Sequence, residues 1–421
     1  MVPMHVASWC ITGASLLGII LRPWRLPEAT WAVLGAVLLV VCSLLPLASA
    51  GAAVLRGTDV YLFLIGMMLL AELAQQEGVF DWMAAYAVQH AAGSRRRLFL
   101  LVYAVGTLVT VLMSNDATAV VLTPAVCAAV RHARIPALPY LLVCAFIANA
   151  ASFVLPIANP ANLVVFGRDL PSLLPWLRGF AVASMASILI TFWMLRVDQR
   201  RALSGSFRAA GRPQPLTAAG RLTVVAIGLM AIVLLASSGL GWPLGLPAFA
   251  AGTGAWLVVS LLARRSPLPL LRHVSWGVLP LVAGLFVLVA GVQRTEVLDP
   301  VARWLVGHAG PMPTVTALLS GTIAGLASNA VNNLPMGLMA GSLAAGAHLP
   351  APVTGALLIG VDLGPNLSVT GSLATILWLV AIRRDGHEVS ALQFLRIGCF
   401  VMPVTLIVTL LVYVATAASG A

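Results

Sequence analysis

The sequence contains no lysine and has few charged residues of either sign. Only 9% of its 421 residues are charged, and its 24 basic residues, all arginine, face 13 acids. By contrast, 60% of the residues are hydrophobic and the mean hydropathy is +1.00. A soluble domain of this length carries many more charged residues than this. The composition therefore predicts an all-α polytopic membrane protein with no room for a sizeable soluble domain.

Sequence signatures of catalysis and of bound metal are also missing. There is no glycine-rich phosphate loop and no nucleophile motif. The cysteines lack the paired spacing of metal ligands; they are Cys10, Cys42, Cys127, Cys144 and Cys399. The net charge of +11 does not indicate nucleic acid binding, because the arginines lie in short loops between apolar segments, as membrane topology requires. We expect no enzyme activity, no metal, no cofactor and no nucleic acid partner.

About ten apolar segments are long enough to cross a hydrocarbon core, and arginines in the loops set their direction. Arg95–Arg97 and Arg131 lie on the two sides of the apolar segment 98–130. Both ends of that segment are therefore predicted to be cytoplasmic, which makes it a re-entrant hairpin. A second re-entrant hairpin is predicted at about 312–348, entering from the outer side.

Each half of the chain is predicted to contain three spans, one hairpin and two further spans. Five crossings is an odd number, so the second copy is expected to be inverted relative to the first. The first repeat would cover 1–196 and the second 221–421, joined by a cytoplasmic linker at 197–220 that is rich in Arg, Pro and Gly. The stretches 78–93 and 297–308 are predicted to be amphipathic helices at the membrane interface.

Polar residues interrupt the apolar segments at four places, two in each half. Asn, Asp, Gly and Pro are tolerated at mid-depth only where they line a polar cavity or are buried in protein. The breaks are Ser114-Asn115-Asp116, Asn159-Pro160-Ala161-Asn162, Ser328–Asn333 and Asp362–Asn366. These matched pairs predict a transporter with its site at the interface between the repeats.

Of the 13 acids, only Asp116 and Asp362 fall at predicted mid-depth. An intramembrane carboxylate is costly enough to be a functional hypothesis by default, so both are predicted to bind the coupling proton or cation. The alternative for Asp116 is a cap on the following half-helix. The alternative for Asp362 is a hydrogen bond to backbone freed at the break. Aligning the two tips by their Ser-Asn pairs places Asp116 opposite Ala330.

Uncharged polar side chains at the breaks are predicted to contact the substrate. Amides donate and accept without bringing charge, which suits a neutral polyhydroxyl solute or a sodium ion held by carbonyl oxygens. The free N–H groups of half-helices favour an anionic or hydroxyl-rich ligand. The alternative for each Asn is an interhelical hydrogen bond. The predicted substrate contacts are Ser114, Asn115, Thr118, Asn159, Asn162, Ser328, Asn329, Asn332, Asn333, Asn366 and Thr370.

These motifs resemble those of the arsenite/antimonite efflux permeases, the ArsB family. Asn115-Asp116 followed by Leu122-Thr123-Pro124 is similar to the first hairpin of that family. Four further segments resemble other motifs of that family: Asn159–Val164, Ser328–Pro335, Gly360–Asn366 and Gly371–Thr375. More broadly, the chain is similar to the ion transporter superfamily. The resemblance implies inverted repeats, a scaffold with a mobile transport part, and a homodimer.

The function predicted from this resemblance is export of arsenite or antimonite across the bacterial inner membrane by proton antiport. The cysteines do not fall in the breaks, so the cargo is expected to be neutral As(OH)₃ or Sb(OH)₃ rather than a thiolate adduct. Three alternatives stay open. They are a Na⁺/H⁺ antiporter, a Na⁺-coupled carboxylate transporter of the same fold, and a membrane subunit driven by a separate arsenite-stimulated ATPase.

Overall fold

The computed structural model describes residues 2–207 and 214–419. Helices joined by turns and loops make up this part of the chain, with no β-strand among the described residues. One isolated antiparallel bridge pairs Ser94 with Ser206. The α-helices are α1 Val2–Leu21, α2 Glu28–Val41, α3 Leu47–Arg56, α4 Thr58–Gln76, α5 Val79–His90, α6 Arg95–Leu112, α7 Asn115–Ala117, α8 Thr123–His132, α9 Leu138–Ala150, α10 Pro160–Phe166, α11 Leu173–Asp198, α12 Ala218–Gly239, α13 Gly245–Leu262, α14 Leu268–Leu271, α15 Val278–Gln293, α16 Asp299–Ala309, α17 Pro313–Val331, α18 Asn333–Gly346, α19 Ala351–Leu363, α20 Leu373–Arg384 and α21 Ala391–Ser419.

Six of these helices are long and apolar enough to cross a membrane: α4, α11, α12, α13, α17 and α21. Helices α2, α3, α9 and α15 are apolar but shorter, and so is the part of α1 at His5–Leu21. The long helices carry large exposed apolar side chains such as Val225, Ile232 and Leu411, which form the surface expected against lipid. The all-helical, multi-pass prediction is confirmed at this level.

Several apolar segments are not continuous helices. The segment 138–168 divides into α9 and α10, and the segment 351–380 divides into α19, a 3₁₀ turn at Gly364–Leu367, and α20. A π-helical turn at Thr118–Leu122 joins α7 to α8. Helices α5 and α16 occupy the stretches 78–93 and 297–308, where the sequence predicts amphipathic helices.

The helices of the two halves pack against each other through small residues. Helix α2 packs on α15, and α4 packs on α13. A Cβ atom placed on Gly252 of α13 would lie 2.2 Å from the carbonyl oxygen of Gly66 in α4. Within the second half, helices α17 and α19 cross equally closely, because a Cβ on Gly360 would lie 2.1 Å from the carbonyl oxygen of Gly321. Close backbone approach through glycine is a common way to associate helices in a membrane.

Part of the predicted linker 197–220 contacts the start of α6. Arg95 Nη1 donates to the carbonyl oxygens of Ala202 (3.3 Å) and Ser204 (3.4 Å), and the Phe207 amide donates to Gly93 O (2.9 Å). Leu203 is buried. The residues after α11 are therefore docked on the start of α6, an arrangement that the Arg- and Gly-rich composition did not indicate. The rest of the stretch includes 208–213, which lie outside the described residues, and α12 begins at Ala218.

Candidate functional site

The first break lies between α6 and α7, at Ser114. Ser114 has φ 149° and ψ 165°, a backbone region that is essentially restricted to glycine and is costly for serine. Its Oγ accepts a hydrogen bond from the Ala117 amide (3.3 Å), which caps α7. The Asn115 amide donates to Ala158 O (3.1 Å) in the loop between α9 and α10. The strained turn is thus held by its own cap and by the neighbouring broken helix.

Asp116 follows this turn and faces a cavity of about 70 Å³, here called the Asp116 cavity. The walls are mainly apolar and include Phe63 and Met67 of α4, Pro160 at the start of α10, and Leu377 of α20. Asp116 is half-buried. Among the described residues, none donates a hydrogen bond to its carboxylate or forms an ion pair with it. The carboxylate is therefore available to a proton or to a solute that enters the cavity.

The other predicted residues near the first break have different partners. Thr118 Oγ1 is hydrogen-bonded to Thr110 Oγ1 (2.8 Å), inside the packing between the π-helical turn and α6. Asn115 is buried, and its side-chain oxygen has no hydrogen-bond partner within 2–207 and 214–419. Of the predicted site residues, Ser114 and Asp116 line the Asp116 cavity, and the rest lie elsewhere.

The second break lies at Asn332, between α17 and α18. Asn332 has φ 76°, and its Oδ1 accepts a hydrogen bond from the Leu334 amide (3.5 Å). The Asn333 amide donates to Gly371 O (2.8 Å), in the loop between the 3₁₀ turn and α20. This contact matches the bond from Asn115 to Ala158 at the first break.

Matching the two breaks in this way corrects the alignment that is based on the Ser-Asn pairs. Ser328, Asn329 and Ala330 lie inside α17, before the break, whereas Ser114 and Asp116 lie at or after theirs. The residue that corresponds to Asp116 is therefore Leu334 and not Ala330. Leu334 is an apolar, buried side chain. The alignment was wrong by four residues because α17 continues through an asparagine.

Asn329 can remain helical because its side chain is fully occupied. Its Nδ2 donates to Gly325 O (2.9 Å) and Gly364 O (3.0 Å), and its Oδ1 accepts from both the amide and the hydroxyl of Ser368. Thr370 Oγ1 donates to the Asn329 carbonyl oxygen (3.0 Å). These bonds satisfy backbone that the 3₁₀ turn leaves free, a structural role that fits the interhelical alternative.

Two further predicted contacts have similar roles. Ser328 Oγ donates to Ala324 O (2.8 Å) within α17. Asn332 Nδ2 donates to Thr370 O (3.1 Å). Both side chains bind backbone carbonyl groups, so each has a structural function in the fold.

The two broken helix pairs meet at a buried polar crossing. Asn159 Nδ2 donates to Asp362 Oδ1 (2.8 Å). Asp362 is completely buried, and its Oδ2 has no hydrogen-bond partner among the described residues. Asn159 Oδ1 also accepts from the Ala161 amide (3.0 Å), which caps α10. The crossing therefore joins a carboxylate of the second half to the helix start that borders the Asp116 cavity.

A second contact at this crossing involves a residue that the sequence reasoning missed. Asn149, near the end of α9, donates through Nδ2 to Asn366 Oδ1 (3.0 Å) and Thr375 Oγ1 (3.3 Å). Asn366 Nδ2 donates in turn to Phe146 O (3.1 Å). Asn149 is a single Asn within an alanine-rich apolar run, whereas each of the four breaks contains at least two Asn or Asp residues.

Asn162 has a different role from the other amides. Its Nδ2 lies within hydrogen-bond distance of three carbonyl oxygens in the loop before α10, those of Ser152 (2.9 Å), Leu155 (3.2 Å) and Pro156 (3.3 Å). Its Oδ1 is buried and has no partner in the part of the chain that the structure describes. Asn162 thus holds the loop of the first broken helix in place.

A larger cavity of about 990 Å³ lies at the opposite end of α10. Leu163–Phe166 line it, together with Asp59 at the start of α4. Across it, Gln293 at the end of α15 is hydrogen-bonded to Ser342 of α18. Helix α10 thus borders the Asp116 cavity at Pro160 and the larger cavity at Leu163–Phe166.

The comparisons with known proteins agree on the class. The family model described as "Citrate transporter" (CitMHS) matches residues 16–360. The arsenical pump membrane protein of Escherichia coli strain K12 is 28% identical over 371 residues, which cover 82% of this chain and 83% of that protein. The protein of the same name from Yersinia enterocolitica is 27% identical over 365 residues, with the same coverage. The solved structure of the Alcanivorax borkumensis YdaH transporter is similar in fold, with a TM-score of 0.59, 16% identity and 88% of each chain covered.

Proposed function

The chain belongs to the citrate transporter family, and we propose that it is a proton-coupled exporter of arsenite and antimonite. Membership makes the chain a multi-pass membrane transporter and not an enzyme. The names of the bacterial relatives support an arsenical cargo. The cargo would be neutral As(OH)₃ or Sb(OH)₃, and the location the bacterial inner membrane.

The observation that carries the proposal is the unpartnered Asp116 carboxylate in its small cavity. An ionised carboxylate only accepts hydrogen bonds, and a trihydroxy solute can donate to both of its oxygens. A proton bound to Asp116 removes part of that acceptor capacity. Proton and solute would then compete for the same group, and this competition is the requirement for exchange.

Asp362 is the second proposed proton-coupling residue. Burying an unpartnered charge is costly, so the bare Asp362 Oδ2 favours a bound proton or cation. Asn159 links this carboxyl to Pro160, which lines the Asp116 cavity. A change of protonation at Asp362 would therefore alter its hydrogen bond with Asn159, and Asn159 is directly followed by Pro160 in the wall of the Asp116 cavity.

The predicted amides would frame the path rather than all bind the solute. Asn115 and Asn162 each retain a buried oxygen without a partner, and these oxygens are the proposed amide contacts for a hydroxyl group. The structural bonds of Asn329, Asn332 and Asn366 would fix the geometry of the helix breaks. In this proposal Asn333 contributes its backbone amide, which is bonded to Gly371.

We further propose the architecture of two inverted repeats, each with a re-entrant hairpin formed by α6–α8 or α17–α18. The pairing of α2 with α15 and of α4 with α13 supports a two-fold relation. The matching bonds of Asn115 and Asn333 to their broken helices support it as well. The inversion rests on the arginine distribution. A homodimer stays a prediction.

The test is arsenite accumulation in everted membrane vesicles from cells that express the full chain. We expect accumulation that is driven by an imposed pH gradient, survives omission of sodium and stops when the gradient is collapsed. Asp116→Asn should abolish this accumulation. Glu72→Gln is the matched control, because Glu72 lines the same cavity but is hydrogen-bonded to Gln76 (3.4 Å). Full accumulation by Asp116→Asn would reject the proposal.

A Na⁺-coupled carboxylate transporter is the second candidate, favoured by the description of the matching family. The charge of the site argues against it. No arginine lines the described part of the Asp116 cavity, and Asp116 would repel a polyanion. Sodium-dependent citrate uptake by right-side-out vesicles, without arsenite transport, would favour this candidate.

The Na⁺/H⁺ antiporter and the ATPase-driven pump have equally direct tests. A Na⁺/H⁺ antiporter would release protons from proteoliposomes when sodium is added without arsenite. A membrane subunit of an ATPase-driven pump would require ATP and a second protein for efflux. Arsenite transport by the purified chain alone, driven by a pH gradient, would exclude both.

A further inference from the structure

A separate cavity of about 250 Å³ lies between the start of α6 and the end of α11. Three arginines line it: Arg96 of α6, Arg196 of α11 and Arg200 just after α11. The remaining lining residues are Trp193, Val197 and Leu203. This arginine cavity contains no acid and shares no residue with the Asp116 cavity, so the proposed transport function does not account for it.

The three guanidinium groups have no anionic partner within the described part of the chain. The ion pairs found there join Arg22 to Glu28 and Arg265 to Glu77. Asp198, the acid nearest to the cavity in sequence, accepts a hydrogen bond from its neighbour Gln199 instead. Three positive charges around one cavity repel one another when no carboxylate lies between them, so an anion bound in the cavity would relieve the repulsion.

The position of the cavity indicates what kind of anion would bind. Helices α6 and α11 are held together by the Tyr103 hydroxyl, which donates to Ile188 O (2.6 Å), and by the Phe99–Phe192 contact with 5.6 Å between ring centroids. Beside this seam, α6 exposes Leu100 and Leu108, in helical register with Arg96. These side chains form an apolar face that leads along α6 to the cavity.

Helix α11 contributes a similar face. Met185, Leu189, Trp193 and Val197 follow one another at intervals of four residues and are each about half exposed, at 56%, 49%, 55% and 47%. The Arg196 guanidinium lies over the Trp193 ring, 5.0 Å from its centroid. A tryptophan with an adjacent arginine at the end of an apolar helix face is typical of the membrane interface. The cavity therefore lies where the headgroup of a lipid would be, with the two apolar helix faces beside it for the acyl chains.

We propose that the arginine cavity binds the phosphate group of an anionic phospholipid, with the acyl chains lying along α6 and α11. Arginine is suited to this because its planar fork donates two hydrogen bonds to phosphate oxygens. Basic pockets between helices on the cytoplasmic side are known sites for anionic headgroups. Leu203 belongs to the docked residues after α11, so the bound lipid would also contact the segment that lies on the start of α6.

The experiment measures lipid bound to the full-length purified protein by native mass spectrometry. Delipidated protein in neutral detergent is titrated with phosphatidylglycerol, with phosphatidylcholine and with inorganic phosphate. We expect saturable binding of phosphatidylglycerol, and binding about tenfold or more weaker in Arg96→Gln/Arg200→Gln, because charge-assisted hydrogen bonds are lost. The control is Arg97→Gln/Arg201→Gln, which removes the same charge from neighbouring residues outside the cavity and should bind as the wild type does.

Three results would overturn the proposal. They are equal affinity for phosphatidylcholine, equal loss of binding in both double variants, and inorganic phosphate occupying the cavity where phosphatidylglycerol does not. Arg96→Lys/Arg200→Lys controls for a folding defect. It keeps both positive charges but lacks the guanidinium groups that donate paired hydrogen bonds, so it should bind phosphatidylglycerol with intermediate affinity. None of these readouts measures transport, so the proposal stands or fails independently of the arsenite assay.

Discussion

The two helix breaks share their backbone contacts but differ in their side-chain chemistry. At each break one amide docks on the neighbouring broken helix, Asn115 on Ala158 and Asn333 on Gly371. One residue further, the first break has Asp116 facing a cavity and the second has buried Leu334. The common contacts build the frame of the site. The difference leaves a carboxylate at the start of α7 and none at the start of α18.

Exchanging the side chains of Asp116 and Leu334 is the most severe test of the difference between the two breaks. Asp116→Leu should reduce arsenite accumulation in everted vesicles to that of empty-vector vesicles, because the group that binds the proton is gone. Adding Leu334→Asp should not restore it, because Leu334 does not line the Asp116 cavity. Restored transport in the double variant would mean that the two breaks are interchangeable.

The glycine crossings sharpen the comparison at the level of packing. Gly360→Ala should lower the free energy of unfolding by about 1–3 kcal/mol, because its methyl group meets the backbone oxygen of Gly321 at 2.1 Å. Gly106→Ala in α6 is the matched control in the first half, where the methyl group meets a side-chain atom, Ile147 Cγ2, at 2.8 Å. Thermal unfolding in detergent measures the stability of both variants. An equal loss of stability would contradict the expectation that a clash with backbone costs more than a clash with a side chain.

The polar crossing tests whether the two halves are coupled. Asn149→Ala and Asn366→Ala should each destabilise the protein by about 1 kcal/mol, as for interhelical hydrogen bonds in membranes. The double variant should lose less than the sum, because both changes remove the same 3.0 Å bond. Additive losses in a double-mutant cycle would show that this bond contributes nothing to stability.

Sequence reasoning found the segments where the helices break, because Gly, Pro and Asn together disfavour a continuous apolar helix. Residues 159–162 and 362–366 do lie at helix ends or turns. It failed where a tertiary partner decides the conformation. Asn329 lies inside α17, where Gly364 and Ser368 satisfy its side-chain amide from outside the helix.

Two other features were beyond the sequence for the same reason. Nothing in the sequence around Asn149 indicates a structural role, because its hydrogen-bond partner Asn366 lies 217 residues away. The docking of residues 202–207 on α6 comes from backbone carbonyl groups, which every residue possesses. The composition of this stretch indicated a linker, but it could not indicate that the linker contacts the start of α6.

The central claim is that protons and arsenite compete for Asp116, and proton release on binding tests it most directly. Purified protein in weakly buffered detergent solution, with a pH indicator dye, is mixed with arsenite in the absence of any gradient. The wild type should release protons in proportion to the bound arsenite, and Asp116→Asn should release none, while Glu72→Gln behaves as the wild type does. Undiminished proton release from Asp116→Asn would contradict the account.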